Sequence, residues 1–286
     1  MGVTEITGRT RIYAHLAHPS AHVQTPQIFN SAFQARGLDA VTVSIDVRPA
    51  DLHDLVHGLR GWRNMAGIGV TMPHKEAIVS DVDEVVGLAR HIKAVNNIRR
   101  DPNGRLIAVN TDGAGFVTGL RQAGRDPAGR HALLVGVGGA GRALAFALAE
   151  AHVASLALAN RTRERAERLA LEIGAVFPDV PVSVQPADPA GHDLVINATS
   201  LGMRDETTLP LDVDRLDPGT IVADIIVALP KTRLMREAER RQCIVHPGLL
   251  MLNAQINLVI DFFGLAAPPT TEGAEAQVDE GVDVSR

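Results

Sequence analysis

The stretch GVGGAGRALA at residues 136–145 decides the fold of this 286-residue chain. It follows a short apolar run and precedes a longer, alanine-rich one, so a glycine-rich turn joins a predicted strand to a predicted helix. The glycines have the spacing G-x-G-x-x-G, in which the first allows a tight bend and the second lets backbone N–H groups approach a pyrophosphate. The third allows the helix to pack closely on the strand. The stretch therefore predicts a dinucleotide site in this turn, which comprises Gly136, Gly138, Gly139, Ala140 and Gly141.

The end of the next predicted strand indicates which dinucleotide is bound. Sites for NAD usually place an Asp or Glu there to bind the ribose hydroxyls, whereas this chain has Asn160, followed by Arg161 and Thr162. A guanidinium group suits a 2′-phosphate in geometry and charge, so we expect these three residues and Arg165 to bind NADP(H). The alternative is that the arginines lie in the solvated first turn of a helix, which fits Arg163 and Arg165 better than Arg161.

Apolar patterning divides the chain into two α/β halves. A turn signal in the first half, RDPNGR at 100–105, indicates antiparallel pairing at one edge of its sheet. The second half alternates strand and helix as a doubly wound parallel sheet does, and we expect its final apolar helix to pack back on the first half. In the first half we predict strands at 11–17, 40–46, 66–72, 93–99 and 105–109 and helices at 26–37, 49–61 and 75–91. In the second half we predict strands at 131–137, 155–160, 182–186, 192–199 and 220–227 and helices at 111–124, 140–152, 163–174, 231–242 and 248–264.

Composition and charge limit the classes of partner. Aromatic residues make up 3% of the chain and the net charge is −5, so neither a stacking surface nor a basic field is available. We therefore expect no nucleic-acid partner and no membrane partner. Cys243 is the only cysteine, which excludes an internal disulfide and favours the cytoplasm. The histidines are not joined by carboxylates at ligand spacing, so no metal site is predicted.

Motifs in a fixed order add a family resemblance. They are GIGVTMPHKEAI, KAVNNI, VNTDGAGF, GVGGAGRA, ANRT, INATSLGM and GLLMLNAQ. From about residue 11 to about residue 262 the chain resembles the shikimate dehydrogenase family, including its quinate-using and shikimate-dehydrogenase-like members. The resemblance implies reversible hydride transfer between NADP(H) and a small-molecule substrate. The reaction implied is the interconversion of 3-dehydroshikimate and shikimate, or of a closely related cyclic hydroxy acid and its ketone.

The resemblance also implies a domain organisation. We expect an N-terminal α/β substrate domain, formed by residues 1–110 together with 249–264, and a C-terminal NADP-binding Rossmann domain at 111–248, with a cleft between them. Residues 265–286 carry five acidic residues and one arginine, and we predict that this acidic tail is disordered. The assembly is expected to be a monomer or a homodimer.

The same resemblance implies roles for individual residues. Lys75 of the PHK motif and Asp112 of the NTDG motif match the family's catalytic pair. Reduction of a ketone needs a proton for the forming alkoxide and a positive field around it, which a lysine supplies while a carboxylate orients it. From the residues alone, Lys75 also fits a surface position in a helix's first turn, and Asp112 fits an N-cap. The matched substrate positions are Thr71, Asn96 and Gln255, and those along the nicotinamide are Asn197, Thr199, Met203 and Gly248.

Some positions depart from the family's pattern. The family has two N-terminal serines that bind the substrate carboxylate; here Val23 replaces the first, and Thr25 keeps a hydroxyl at the second. Loss of one hydrogen bond to a charged group, roughly 1.5–3 kcal/mol, lowers affinity by one to two decades. Gly69 replaces an asparagine and Val227 replaces a tyrosine, so we expect a smaller and more apolar pocket wall.

Three interpretations of these departures stay open. In the first, Gln24 or His22 rebuilds the carboxylate site, and the chain acts on shikimate. In the second, the chain is a paralogue specialised for another substrate. In the third, it is an NADPH-binding regulatory protein that has lost catalysis, although the retained Lys75 and Asp112 speak against this.

Overall fold

The elements of the chain follow one another as two α/β halves. The structure, a computed structural model, describes residues 5–21, 23–203 and 207–265. The first half contains β1 (Arg11–Ala17), α1 (Thr25–Ala35), β2 (Ala40–Asp46), α2 (Leu52–Leu59), β3 (Met65–Val70), β4 (Glu84–Val85), α3 (Ala89–Ile92), β5 (Asn97–Arg100) and β6 (Leu106–Val109). The second contains α4 (Asp112–Gln122), β7 (His131–Val135), α5 (Gly139–Glu150), β8 (Ser155–Ala159), α6 (Arg163–Val176), β9 (Val182–Val184), β10 (Leu194–Asn197), β11 (Ile221–Asp224), α7 (Arg233–Arg240), β12 (Ile244–Pro247) and α8 (Gly248–Phe263).

Each half builds a six-stranded sheet. The second sheet has the order β12-β11-β10-β7-β8-β9, and all of its pairs are parallel. The first has the order β2-β1-β3-β5-β6-β4. There β5 pairs antiparallel with both β3 and β6. The turn signal at 100–105 predicted this pairing, but the edge strand on that side is β4, which pairs parallel with β6. The predicted α/β class, with a Rossmann-like second half, is confirmed.

In space, the last helix, α8, packs against the first half of the chain. Ile256, Val259 and Phe263 of α8 are buried in one cluster with Tyr13 of β1 and Phe29 of α1. An apolar helix that is hydrophobic on most of its surface must be buried on more than one side, and α8 also packs along α4. The expectation that the closing helix returns to the first half is therefore confirmed.

The predicted helix at 75–91 is wrong. Residues Ala77–Asp81 form a short 3₁₀ helix, followed by β4 and by the single turn of α3. The reason is the competing backbone pairing that β6 offers. Asp83 N–H donates to the Leu106 carbonyl at 2.9 Å, and the Asp83 carboxylate accepts from Leu106 N–H at 2.7 Å. These bonds hold the valine-rich segment extended, a conformation that β-branched residues favour.

Besides β4, a second strand was not predicted. β12 is short and lies at an edge of the second sheet, where it pairs with β11. Its sequence IVHP lacks an alternating pattern and ends in a proline, which edge strands tolerate. The acidic tail predicted at 265–286 lies outside the described residues, apart from Leu265. Within the described ranges, no helix has the length and apolar character needed to cross a bilayer.

Candidate active site

Lys75 and Asp112 meet although they come from different segments of the chain. Lys75 lies in the turn after β3, and Asp112 is the first residue of α4. Lys75 Nζ donates to Asp112 Oδ2 at 2.6 Å. The two side chains are 19% and 8% exposed, so the pair is shielded from water on most sides. Neither the surface position for Lys75 nor a side-chain N-cap for Asp112 describes this geometry.

The other carboxylate oxygen is held by two amides. Asn96 Nδ2 donates to Asp112 Oδ1 at 2.8 Å, and Gln255 Nε2 of α8 lies at 3.5 Å from the same oxygen. The Asp112 backbone N–H donates to Asn110 Oδ1 at 3.0 Å. Asp112 therefore accepts hydrogen bonds at both of its carboxylate oxygens. Four sequence-predicted residues therefore converge on one ion pair.

A polar network behind the pair fixes Asn96. Its Oδ1 accepts from Asn97 Nδ2 at 3.0 Å and from the Thr111 backbone N–H at 2.8 Å. Asn97 Oδ1 in turn accepts from the Tyr13 hydroxyl at 3.0 Å. These residues are buried, and buried polar networks in which most groups are paired hold their members in one geometry. The sequence did not single out Asn97 or Tyr13, because on a strand they look like ordinary core and sheet residues.

The ion pair opens into a cavity of about 350 Å³ between the two halves. Elements of both halves line it, which makes it a cleft of the kind that binds small molecules at domain interfaces. Of the predicted site residues, the lining includes Val23, Thr25, Thr71, Lys75, Asn96, Asp112, Ala140, Met203, Gly248 and Gln255. The predicted residues outside this lining lie at the adjoining glycine turn, after the end of β8, in the first turn of α6 and in the loop after β10. They are Gly136, Gly138, Gly139, Gly141, Asn160, Arg161, Thr162, Arg165 and Thr199.

The glycine turn has the shape that its sequence predicted. A Cβ at Gly141 would collide with the carbonyl of Gly136, so this glycine lets the first turn of α5 pack against the end of β7. Gly136 has φ +97, a conformation that favours glycine. A Cβ built at Gly138 or Gly139 meets no heavy atom within 4 Å among the described residues. No side chain caps the N-terminus of α5, so its first N–H groups are available to an anion.

The end of β8 combines a structural amide with exposed arginines. Asn160 Oδ1 accepts from the Val137 N–H at 3.2 Å, and its Nδ2 donates to the Thr162 carbonyl at 2.8 Å. Asn160 therefore ties the glycine turn to the start of α6. Arg161 and Arg165 are exposed, and Arg163 pairs with Glu167 at 2.8 Å, as the solvated interpretation of Arg163 predicted.

The loop after β10 is ordered by Asn197. Its buried side chain accepts from the Thr199 N–H at 3.0 Å and from the Thr199 hydroxyl at 2.7 Å, and its Nδ2 donates to the Leu201 carbonyl. This loop carries Met203 to the cavity. On the other side, a Cβ at Gly248 would lie 2.7 Å from the Ile225 carbonyl, so only glycine lets α8 start this close to the strand end.

Of the three departures from the family's pattern, Gly69 leaves no extra space in the cavity, whereas Val23 and Val227 make its wall apolar. The space beside Gly69 is filled, because a Cβ there would collide with the Tyr13 hydroxyl and with the His15 ring. The expectation of a smaller, more apolar wall is therefore wrong at Gly69. Val23 and Val227 do line the cavity as apolar side chains. Of the proposed substitutes, Gln24 is exposed at the cavity rim, and His22 lies outside the described residues.

His15 is a site residue that sequence reasoning missed. It lines the cavity, is 7% exposed, and places Nε2 at 3.3 Å from the Thr25 hydroxyl. Burial, with a smaller effect of the Lys75 ammonium, lowers the pKa of His15 to about 4. The imidazole is therefore neutral at pH 7. The available signal was its position two residues after Tyr13 on β1, which puts both on the same face of the sheet.

Comparisons with known proteins agree with this geometry. Residues 16–98 match the shikimate dehydrogenase substrate binding domain, and residues 120–203 match the shikimate / quinate 5-dehydrogenase family. The NADP(+)-dependent shikimate dehydrogenase of Rubrobacter xylanophilus is 42% identical over 258 residues, which cover 88% of this chain and 90% of that protein.

Solved structures are similar over nearly the whole chain. A shikimate dehydrogenase in complex with NADP+ is 32% identical, with a TM-score of 0.86 over 92% of this chain and 93% of that one. The ligand-free 5-ketofructose reductase of Gluconobacter sp. strain CHM43 is also 32% identical, with a TM-score of 0.84 over 90% of this chain and 94% of that one. The framework is thus shared by enzymes that are named for different substrates, shikimate and 5-ketofructose.

Proposed function

The chain belongs to the shikimate dehydrogenase family, and we propose that it transfers a hydride reversibly between NADP(H) and the ring carbonyl or alcohol of a cyclic hydroxy acid. The pair formed by shikimate and 3-dehydroshikimate is the first candidate substrate. The observation that carries this proposal is the shielded Lys75–Asp112 contact at 2.6 Å, placed in a cleft next to the glycine turn. A cytoplasmic location and assembly as a monomer or homodimer stay predictions.

Lys75 is proposed to handle the proton. In the direction of reduction, its ammonium donates a hydrogen bond to the carbonyl oxygen, stabilises the negative charge that develops there, and delivers a proton. In the direction of oxidation, the amine accepts the proton of the alcohol. Asp112 orients Nζ and accepts from a second hydroxyl of the substrate, while Asn96 and Gln255 hold the carboxylate. Thr71, which also lines the cavity, supplies a further hydroxyl to the ligand.

The glycine turn and its surroundings fit NADP(H). The uncapped N-terminus of α5 suits the pyrophosphate, and the open space at Gly138 and Gly139 allows a close approach. Arg161 and Arg165, exposed at the start of α6, suit a 2′-phosphate. Thr199, Met203 and Gly248 lie where the nicotinamide side would enter the cleft. When bound, the cofactor supplies or accepts the hydride.

An assay with both cofactors tests the proposal. We expect shikimate-dependent reduction of NADP+, followed at the absorbance of NADPH, with a much lower kcat/KM for NAD+. Quinate and reduced 5-ketofructose serve as competing substrates, and the Asp112→Asn variant serves as the inactive reference. A chain that binds NADPH but turns over none of these compounds would contradict the proposal and favour a regulatory protein. A much higher kcat/KM for a compound without a carboxylate would favour the specialised paralogue.

A further inference from the structure

One corner of the cavity carries two adjacent hydrogen-bonding groups that no family motif contains as a pair. They are the Thr25 hydroxyl and His15 Nε2, 3.3 Å apart. Both residues line the cavity. Val23, close by in sequence, is apolar, and the nearby Tyr13 hydroxyl is committed to Asn97 at 3.0 Å. The corner thus depends on His15 and Thr25 for its polar contacts.

The environment of His15 selects one tautomer. Its Nδ1 is buried without a hydrogen-bond partner among residues 5–21, 23–203 and 207–265. A buried N–H without a partner is rarer in proteins than a buried acceptor without one, so the neutral ring carries its proton on Nε2. Nε2–H then donates toward Thr25 Oγ, and the hydroxyl proton of Thr25 is left to donate elsewhere. The Thr25 hydroxyl thus offers one donor to the cavity, and Nε2–H becomes a second, adjacent donor when a ligand oxygen displaces its 3.3 Å contact with Thr25.

His15 occupies this position because Gly69 permits it. A side chain at 69 would collide with the His15 ring and the Tyr13 hydroxyl. Edge-on packing between Tyr13 and His15, with centroids 6.1 Å apart and planes at 89°, holds the ring in this orientation. Gly69 and His15 thus act together, and the departure at Gly69 makes room for a donor near the position where Val23 lacks one.

We propose that His15 is a specificity-determining residue that, with Thr25, binds the carboxylate of the substrate. A carboxylate has two oxygens that accept hydrogen bonds and suits two adjacent donors. The inference rests on the proposed function, since it takes the ligand to be a cyclic hydroxy acid. It replaces Gln24 and His22 as the group that compensates for Val23.

The test compares an acid with a neutral ligand in His15 variants. KM and kcat are measured at saturating NADP+ for shikimate and for its methyl ester, which keeps the ring hydroxyls but removes the charge. His15→Leu should raise KM for the acid about 10- to 100-fold, the effect of one hydrogen bond to a charged group. The ester should change less than about threefold, because hydrogen bonds to neutral groups contribute less. His15→Gln keeps an N–H donor at similar reach and should recover most of the loss.

A second donor offers a rescue. Val23→Ser should improve KM for the acid at least about tenfold in the His15→Leu background but little in the native chain, because one donor then replaces the other. His53→Leu, at an exposed histidine of α2, is the matched control and should leave both ligands unaffected. Native-like affinity for NADPH checks that each variant is folded, and His15→Met replaces His15→Leu if the latter does not fold.

The outcomes separate the two proposals. Equal losses for acid and ester would show that His15 only packs, and an unchanged KM for the acid would also overturn the inference while leaving the proposed function intact. If the native chain turns over neither ligand, shikimate is not its substrate, and the proposed function then depends on turnover of the other compounds in its assay. Calorimetric binding of shikimate to the NADP+-loaded variants then gives the same comparison, and absence of binding to the native chain would overturn the inference as well.

Discussion

At the residue scale, the site depends on one carboxylate whose oxygens have separate tasks. Asp112 Oδ2 contacts Lys75 at 2.6 Å, while Oδ1 accepts from Asn96 at 2.8 Å. Asn96 is itself fixed by Asn97 and the Thr111 N–H. The ammonium is thereby held in one place before a ligand arrives, and a group fixed in advance costs no reorganisation during reaction.

The family motifs were sufficient to predict the residues of this pair but not the residues behind it. Lys75, Asp112 and Gln255 come from distant segments and were predicted because each lies in a motif. Tyr13 and His15 lie on a strand whose pattern predicts only burial. Their tasks depend on packing across the sheet against Gly69, which a pattern along one strand does not contain.

The exposed arginines at the start of α6 should decide cofactor preference. Arg161→Ala should weaken NADP+ binding about 10- to 100-fold, because a charge-assisted hydrogen bond to the 2′-phosphate is lost. Affinity for NAD+, which lacks this phosphate, should stay the same. Arg163→Ala, which breaks only the surface pair with Glu167, is the matched control. Equal losses for both cofactors, or none, would remove Arg161 from the phosphate site.

At the element scale, α4 organises the site because it lies against both α5 and α8. Its glycines allow the close approach: a Cβ at Gly115 would collide with Gln255 of α8, and a Cβ at Gly119 would lie 2.9 Å from the Leu250 carbonyl. This packing brings Gln255 to Asp112 at the N-terminus of α4.

A single methyl group on α4 tests this arrangement. Gly115→Ala should lower the free energy of unfolding by about 1–3 kcal/mol through overpacking and should raise KM for the substrate, since Gln255 is pushed from its place. Gly174→Ala on α6, where a Cβ meets nothing within 4 Å among the described residues, should be neutral or stabilise by about 0.5–1 kcal/mol. Denaturant unfolding and steady-state kinetics measure both. If the two variants behave alike, α4 is not constrained as described.

Elements with a strong local sequence pattern were predictable, and those that form only by pairing with a neighbouring strand were not. The strand before the glycine turn and helix α5 after it match the prediction, because periodicity and turn chemistry agree there. Residues 75–91 have apolar spacing that suits a helix, yet pairing of Asp83 with Leu106 draws them into the sheet. β12 forms only because β11 offers a parallel edge.

At the scale of the whole molecule, the halves are joined on both sides of the cleft. On one side, α4 and α8 pack together. On the other, Arg142 of α5 donates to the carbonyls of His91 and Ile92 at 2.6 and 2.7 Å, and its guanidinium also pairs with Glu172 of α6. The C-terminal end of α3 is thereby fixed to the second half. These contacts define the separation across which a ligand must reach from Lys75 to the glycine turn.

Buried neutral histidines should make stability fall in acid. Burial, together with the Arg125 guanidinium, lowers the pKa of His246 to about 4. Below its unfolded pKa near 6.5 the unfolded chain binds a proton that the folded chain refuses, so the free energy of unfolding decreases as pH falls from about 6.5 to 4.

This dependence can be measured by denaturant unfolding at pH 7 and pH 5. The native chain should lose about 2 kcal/mol more between these values than His246→Gln does, since one differential proton is removed. His57→Gln, at an exposed histidine of α2, serves as the control substitution. An identical loss in the native chain and in His246→Gln would show that His246 is not held neutral by the fold.

The most direct test of the whole account is the single-turnover rate of hydride transfer in Lys75→Ala, followed by NADPH absorbance with saturating 3-dehydroshikimate or the preferred ring ketone. The rate should fall about 10²- to 10⁴-fold, the contribution of a positioned general acid, while the Kd for NADPH stays within about twofold of the native value. A variant that keeps more than a tenth of the native rate, or that loses NADPH binding together with turnover, would contradict the role of Lys75 as the proton donor.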